Sequence, residues 1–473
     1  FAAVFTDLGT FLNDLGAEGA FTGEVAFVDL FHRHVNGFLN LLVAEFQVAD
    51  GVDRFQLPDV ADHLGRLEAY PRRLGAVGEQ GQRVHAWVAT GIGGSSAGEI
   101  FMRRWDAEGS PLGDPVMVNT TTDDIQRYPR VAMSADGTFV VIFQSWESDS
   151  GGAERVVVRS QAFDANGDPV GGEQRLSTVK TNIATNAYAD VAALRETDGS
   201  AGGYVVVWRS LNSSGADTNA SIEGCLVSAA GVPSAQFQVN STGPPSQSLS
   251  SVTELPDGGF FAIWEADSEI WGRRFNAAGG PIGNDFKVSS SFVSQKEDND
   301  VALGWDGVVA VVWSDAEDDG GTNGKEIRAR LFDSDLNPLG ADFRVNTVID
   351  GAQEDPRLAD YGPMGFLVVW YSAVASGSDL GESIEARLVT GSNQFDGVQV
   401  QYNVWDNDNT QSQPGAHGSY GRLATDWRSQ TWDGDPKPDV INDDFIIGRD
   451  IEYCLFCDDF EWGGPWRWSS QVE

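Results

Sequence analysis

"GVVAVVWSDAEDDGGTNGKEIRARLFDSDLNPLGADFRVN", residues 307–346, decides the fold. It opens with a continuous apolar run ending in Trp313. A polar loop rich in Asp and Gly follows. A second apolar segment ends at Phe332, and a turn built on Asp333, Pro338 and Gly340 leads into a last short strand ending "VN". Runs of this length, bounded by turn formers, read as strands rather than helices. The same order recurs along the chain. "GTFVVIFQS" ends at Ser145, "GGYVVVWRS" at Ser210, "GGFFAIWEA" at Ala266 and "MGFLVVWYS" at Ser372. The last aromatics of these stretches are Phe143, Trp208, Trp264, Trp313 and Trp370, spaced by 65, 56, 49 and 57 residues, and Trp87 lies 56 before Phe143.

Each unit also carries a short strand upstream, as in "YPRVAMSAD" or "DPRLADYG". Four strands a to d per unit, repeated at this period, predict an all-β fold: a β-propeller of four-stranded blades. Seven blades are expected, with six or eight as alternatives. Residues 1–69 read as a divergent or incomplete first blade, with a helix near residues 29–49 as the competing reading. Residues 70–427 read as the repeats and 428–473 as a C-terminal extension. "YGRLATDW" (420–427) reads as a lone a strand. It would close the ring with strands from the other terminus, at 1–5, 24–31 and 44–51, so that no sheet edge stays exposed.

The chain of 473 residues carries 70 acidic against 31 basic side chains, a formal charge of −39. Such a polyanion is repelled by nucleic acid and by anionic membrane surfaces. No apolar run is long enough for a membrane-spanning helix. The chain begins at Phe1 rather than Met, which reads either as a removed leader or as a fragment.

The recurrent Trp or Phe reads as core between blades. A recurrent Arg lies two residues before the end of strand c, at Arg103, Arg273, Arg330 and Arg387. Its period-two spacing puts it on the face of the strand's last apolar residue. The expectation is a packed stem with the guanidinium paired to an acid of a neighbouring blade.

In a propeller the b–c and d–a loops share one face. Glu147, Asp149, Asp267, Asp315, Glu317, Asp318, Asp319 and Asp379 are expected at its rim, either as a solvated acidic surface or as a site for Ca2+ or a cationic or hydroxyl-rich partner. Asp164, Asn166 and Asp168, and likewise Asp333, Asp335 and Asn337, have the alternation of a calcium loop. Counted from Asp333, however, the sixth position is Pro338 and the twelfth is Arg344, where an EF-hand loop needs Gly and Glu. These stretches read first as hairpin turns, with Ca2+ as an option. His32, His34, His63, His85 and His417 form no recognisable ligand set. Cys454 and Cys457 read as a local disulfide or free thiols rather than half a zinc site. None of the familiar catalytic or nucleotide-binding motifs occurs.

The unit "RRFNAAGGPIGNDFKV" or "RLFDSDLNPLGADFRV" resembles repeats of large secreted or surface-attached bacterial proteins. Some of those proteins also carry adhesin-type domains or calcium-binding nonapeptide arrays. The resemblance spans about 70–403 and, more loosely, the first 50 residues. It implies a propeller exported from a bacterial cell and carries over no catalytic residues. The tail "CLFCDDFEWGGPWRWSS" is similar to a short C-terminal segment of exported proteobacterial proteins, with Asp459 in place of that segment's Gly. The function expected is an extracellular or cell-surface binding module for a protein or carbohydrate ligand. An extracellular carbohydrate-active or other hydrolytic enzyme, with its site in the funnel, is the first alternative, and a structural spacer the second.

Overall fold

A computed structural model describes residues 75–452 apart from stretches between strands; residues 1–74 and 453–473 lie outside the description. The described residues form strands and turns, with no α-helix. Consecutive strands pair antiparallel as meanders a-b-c-d, in sheets at 75–117, 125–182, 190–238, 247–287, 296–344 and 353–401. The second sheet also pairs a fifth short strand, Thr181–Asn182, with its strand c. A seventh sheet at 410–452 has three strands.

Neighbouring sheets pack face to face. Five buried clusters each join one sheet to the next, for example Val205, Val207 and Ile222 of the third to Phe260, Ala262 and Trp264 of the fourth. The recurrent aromatics are their bulkiest members: Phe143, Trp208, Trp264, Trp313 and Trp370 are all at most 2% exposed. Burying each contributes roughly 1.5–3 kcal/mol. The seventh sheet adjoins the sixth through Thr410–Ser419, and the same strand reaches Gly75–Val77 of the first. The sheets therefore form a closed ring. The fold is a β-propeller.

The ring closes in the described residues differently from the expectation at 420–427. Arg422–Thr431 is no lone first strand; it is the centre of a three-stranded meander between Thr410–Ser419 and Asp443–Glu452. The sheet thus continues past residue 427. The divergent first blade and the strands at 1–5, 24–31 and 44–51 lie outside the described residues, as do Cys454 and Cys457.

Three side-chain devices recur, the first within a sheet and the other two between neighbouring sheets. The first is the "N" or "S" after strand d: Asn119, Asn240 and Asn346 accept the backbone N–H of Ile100, Ile222 and Ile327 at 2.7–2.8 Å, and Ser177 does the same for Val158 at 3.0 Å. The second is the recurrent Arg, which corrects the expected acid pairing across blades. Arg273, Arg330 and Arg387 donate instead to the backbone carbonyls of Val239, Val288 and Val345 in the preceding sheet, at 3.3, 2.7 and 2.6 Å. Arg273 does approach an acid, Asp285 at 3.5 Å, but within its own sheet. The stems lie as expected, with Arg273 over Phe275 and Arg330 over Phe332.

The third device is an acid on strand d that reaches the previous sheet. Glu173, Asp285 and Asp342 accept the N–H of Thr120, Ser241 and Ser290 at 2.6–2.8 Å. Burial would raise the Glu173 carboxyl, but donors on Thr120 and Thr121 together with Arg159 outweigh it and leave its pKa lowered. Asp342 is lowered in the same manner, with Ser290 and Arg328 overcoming burial. Cys225 is sealed in the core between the second and third sheets, and burial pushes its thiol up to about 12.

Candidate functional site

In the sheets at 125–182, 247–287, 296–344 and 353–401 the a–b pairing shifts register early in strand a, and strands b and c are joined by loops of differing length. In the fourth sheet the b–c loop shrinks to two residues, Asp267 and Ser268, between strands Phe260–Ala266 and Glu269–Phe275. Both residues have positive φ, 51° and 63°. Two successive left-handed residues give the hairpin turn whose twist matches its strands. Asp accepts this conformation more readily than most residues, because its short polar side chain bonds locally.

This short loop leaves a concavity of about 350 Å³ between the fourth and fifth sheets, on the face of the b–c and d–a loops. Its wall includes Ser248, Glu265, Asp267, Glu297 and Asp298, and Lys296 lies at its floor. Glu265 bridges the two sheets: it accepts the backbone N–H of Asp298 at 2.7 Å and the Ser248 hydroxyl at 3.2 Å. Asp298 holds a bulge with φ of 57°, at the register shift between Glu297 and Asp300. Glu297 accepts from Lys325 at 2.6 Å, and Lys325 also meets Glu354 of the sixth sheet at 3.0 Å. Burial alone would lower the Lys325 ammonium; the two carboxylates reverse this and raise it. Asp267 is exposed at the rim.

Lys296 is fully buried, with Nζ 3.7 Å from Glu269 and 3.8 Å from Asp315. Asp315 accepts the Trp313 indole N–H at 3.1 Å, and Glu269 accepts the Ser289 hydroxyl at 2.6 Å. The position of strand a in the same register is a buried Gln in other sheets: Gln126, Gln247 and Gln353. In the sixth sheet Gln353 takes the Trp370 indole N–H at 2.7 Å. The fifth sheet replaces a neutral amide with an ionic cluster beneath the concavity. A buried ammonium is tolerated only when paired and hydrogen-bonded. Six carboxylates (Glu265, Asp267, Glu269, Glu297, Asp298 and Asp315) thus lie near three ammonium groups, Lys287, Lys296 and Lys325, with Lys287 3.7 Å from Glu269 and the Arg328 guanidinium also acting on Asp315. The local field attracts cations and hydroxyl donors.

The acids expected at the rim divide. Asp267 sits there. Asp315 does not: it is wholly buried below, because strand b carries it inward beside Trp313. Glu147 lies in the second sheet, tied to Arg159 at 2.6 Å and Arg175 at 3.5 Å. Asp149, Glu317, Asp318, Asp319 and Asp379 lie outside the described residues. Glu265, Glu297, Asp298 and Lys296 went unnoticed in the sequence. Their signal was available in register, since Lys296 replaces a repeated Gln.

The two calcium-like stretches are Asx turns. Asp164 accepts the N–H of Asn166 at 2.8 Å and of Asp168 at 2.9 Å. Asp333 accepts those of Asp335 at 3.0 Å and Asn337 at 2.8 Å. The Asn337 amide, first, and these N–H groups hold the Asp333 carboxyl below its usual range. Asp335 reaches Arg274 of the fourth sheet at 3.2 Å. Among the described residues, no three His, Cys, Asp or Glu side chains are grouped to hold a metal ion.

No family model and no curated protein matches the chain. Among solved structures, it is similar to a polysaccharide lyase of family PL25, an ulvan lyase, at 8% identity over 77% of this chain and 91% of that one, with a TM-score of 0.48. It is also similar to the NanB sialidase of Streptococcus pneumoniae, at 10% identity over 86% and 72%, TM-score 0.44. A third is a protein of unknown function from Dyadobacter fermentans, at 14% identity over 67% and 94%, TM-score 0.45.

Proposed function

We propose that this chain is a bacterial extracellular or cell-surface binding module that takes a hydroxyl-rich ligand, a glycan or the glycosylated face of a protein, at the concavity between its fourth and fifth sheets. One observation carries the reading. Glu265, Asp267, Glu297 and Asp298 converge on a preformed cleft, where the b–c loop has been cut to two residues. Carboxylates are strong acceptors for paired sugar hydroxyls, and a concave site that exists before binding avoids the cost of ordering loops. Under this reading Asp164 and Asp333 serve as acceptors that fix the c–d turns.

The test is a glycan array probed with the wild type and with Asp267→Asn, a substitution that keeps a residue suited to positive φ. The proposal expects selective retention of one glycan class without release of reducing ends, and loss of that retention in the variant. Equal retention by both proteins would remove the concavity from the account. Release of reducing sugar would make the chain an enzyme instead.

A further inference from the structure

Trp305 is 61% exposed, and it is the one aromatic among the exposed large apolar side chains of the described residues. It occupies the a–b turn of the fifth sheet, Gly304-Trp305-Asp306-Gly307. This turn lies on the face opposite the concavity, since a–b and b–c connections sit at opposite ends of strand b. Equivalent turns read Ser134-Ala135-Asp136-Gly137 and Leu255-Pro256-Asp257-Gly258. What recurs is the Asp, which accepts an N–H two residues on, as Asp306 does from Val308 at 3.1 Å, and the Gly, with φ of 81° at Gly307. The turn itself needs no indole.

The turn is nevertheless held firmly against the sixth sheet. Trp305 donates its backbone N–H to Oδ1 of Asp360 at 3.1 Å, and Gly362 donates to the same oxygen at 3.1 Å. Gly304 fits against Phe366 so closely that a Cβ there would come within 2.7 Å of the ring. An exposed indole on a fixed backbone is a preorganised platform. Its neighbours are acidic: the charge of Asp306 acts on Asp360, and Arg195, which also pairs with Glu254 at 2.9 Å, offsets part of it. An exposed indole on a turn that carries Asp306 and is anchored by Asp360 attracts an organic cation through the ring quadrupole and through charge. The net charge of −39 favours the same class of partner.

We infer that Trp305, with Asp306 and Asp360, forms a second binding site, one for a cationic side chain, the arginine or lysine of a basic peptide segment of a partner. The site is independent of the concavity on the other face.

The test uses the whole chain labelled with 5-fluorotryptophan, the Trp305 fluorine resonance being assigned by its loss in Trp305→Phe. The probe is capped Gly-Arg-Gly, with capped Gly-citrulline-Gly as its neutral counterpart. The inference expects the Trp305 resonance to shift with the arginine peptide and stay in place with citrulline. It also expects Trp305→Ala to weaken calorimetric binding by about five- to tenfold while the melting temperature holds. No shift, an equal shift with citrulline, or unchanged affinity in Trp305→Ala would overturn it. A shift with neutral cellotriose but not with the arginine peptide would also overturn it, in favour of a sugar platform. Asp267→Asn leaves every one of these readings unchanged, so this site and the concavity fail separately.

Discussion

Arg330 does two jobs with one side chain. Its stem covers Phe332, and its guanidinium reaches the carbonyl of Val288 in the preceding sheet at 2.7 Å and that of Gly340 at 3.0 Å. Removing it strips two partly buried acceptors of their donor and uncovers Phe332, so Arg330→Ala should cost about 1–3 kcal/mol. Arg330→Lys should recover only part, because an ammonium cannot fork between two carbonyls. Chemical denaturation checks both. Lys296 offers a sharper case. Lys296→Met removes the buried ammonium from beside Asp315 and Glu269, although Lys287 still stands 3.7 Å from Glu269, and should cost about 3–5 kcal/mol. The pair Lys296→Gln with Asp315→Ser rebuilds the arrangement of the sixth sheet, Gln353 with Ser372. It should therefore be more stable than Lys296→Met, and equal instability of the two would contradict the repeat-based reading.

At the scale of the element, the turn between strands a and b of the sixth sheet carries a pH dependence. Burial first, and then Asp306, raise the Asp360 carboxyl to about 6, against the donors on Trp305 and Gly362 and the charge of Arg195. The unfolded value is about 3.9. A group raised on folding lends stability that is fully present below the unfolded value and is lost as pH rises through the folded one. Asp360→Asn keeps the Oδ1 acceptor and cannot ionise. Relative to the wild type it should therefore gain stability between pH 4 and pH 7, by on the order of 2 kcal/mol. A difference that stays flat with pH in urea titrations would refute this assignment. The c–d turn behaves differently. Asp333 works by accepting N–H groups, so Asp333→Asn should be nearly neutral and Asp333→Ala should cost about 1 kcal/mol.

Elements of this kind also show what the sequence disclosed. Strands b and c were legible because burial on both faces leaves continuous apolar runs, and the c–d turn because it needs Asp, Pro and Gly at fixed offsets. The "VN" after strand d was visible as a repeat, but its use was not: an Asn that caps a neighbouring strand looks like any turn Asn. The acid partner assigned to the recurrent Arg failed for a related reason. Sequence spacing fixes which face a side chain takes, whereas the acceptor it meets is a backbone carbonyl with no residue signature. The concavity depended on the length of one loop and on register between two sheets, and only Asp267 of its acids was foreseen. The seventh sheet was misread because its middle strand, although Trp427 stands 57 residues past Trp370, has the polar "ATDW" where the other sheets have a continuous apolar run.

For the molecule as a whole, a ring of sheets held by face-to-face burial leaves its loops free to vary. Here they vary toward acid. With −39 net charge, self-repulsion should weaken the folded state at low ionic strength, so the melting temperature should rise with added sodium chloride. EDTA should leave it unchanged if hydrogen bonds alone fix the turns at Asp164 and Asp333, and a fall in melting temperature would show a bound ion there. If the cleft between the fourth and fifth sheets seats the ligand, hydrogen–deuterium exchange with and without the glycan retained on the array will show it. The prediction is new protection confined to residues 248–249, 265–268 and 295–298; protection elsewhere on the ring, with these three segments unchanged, would contradict it.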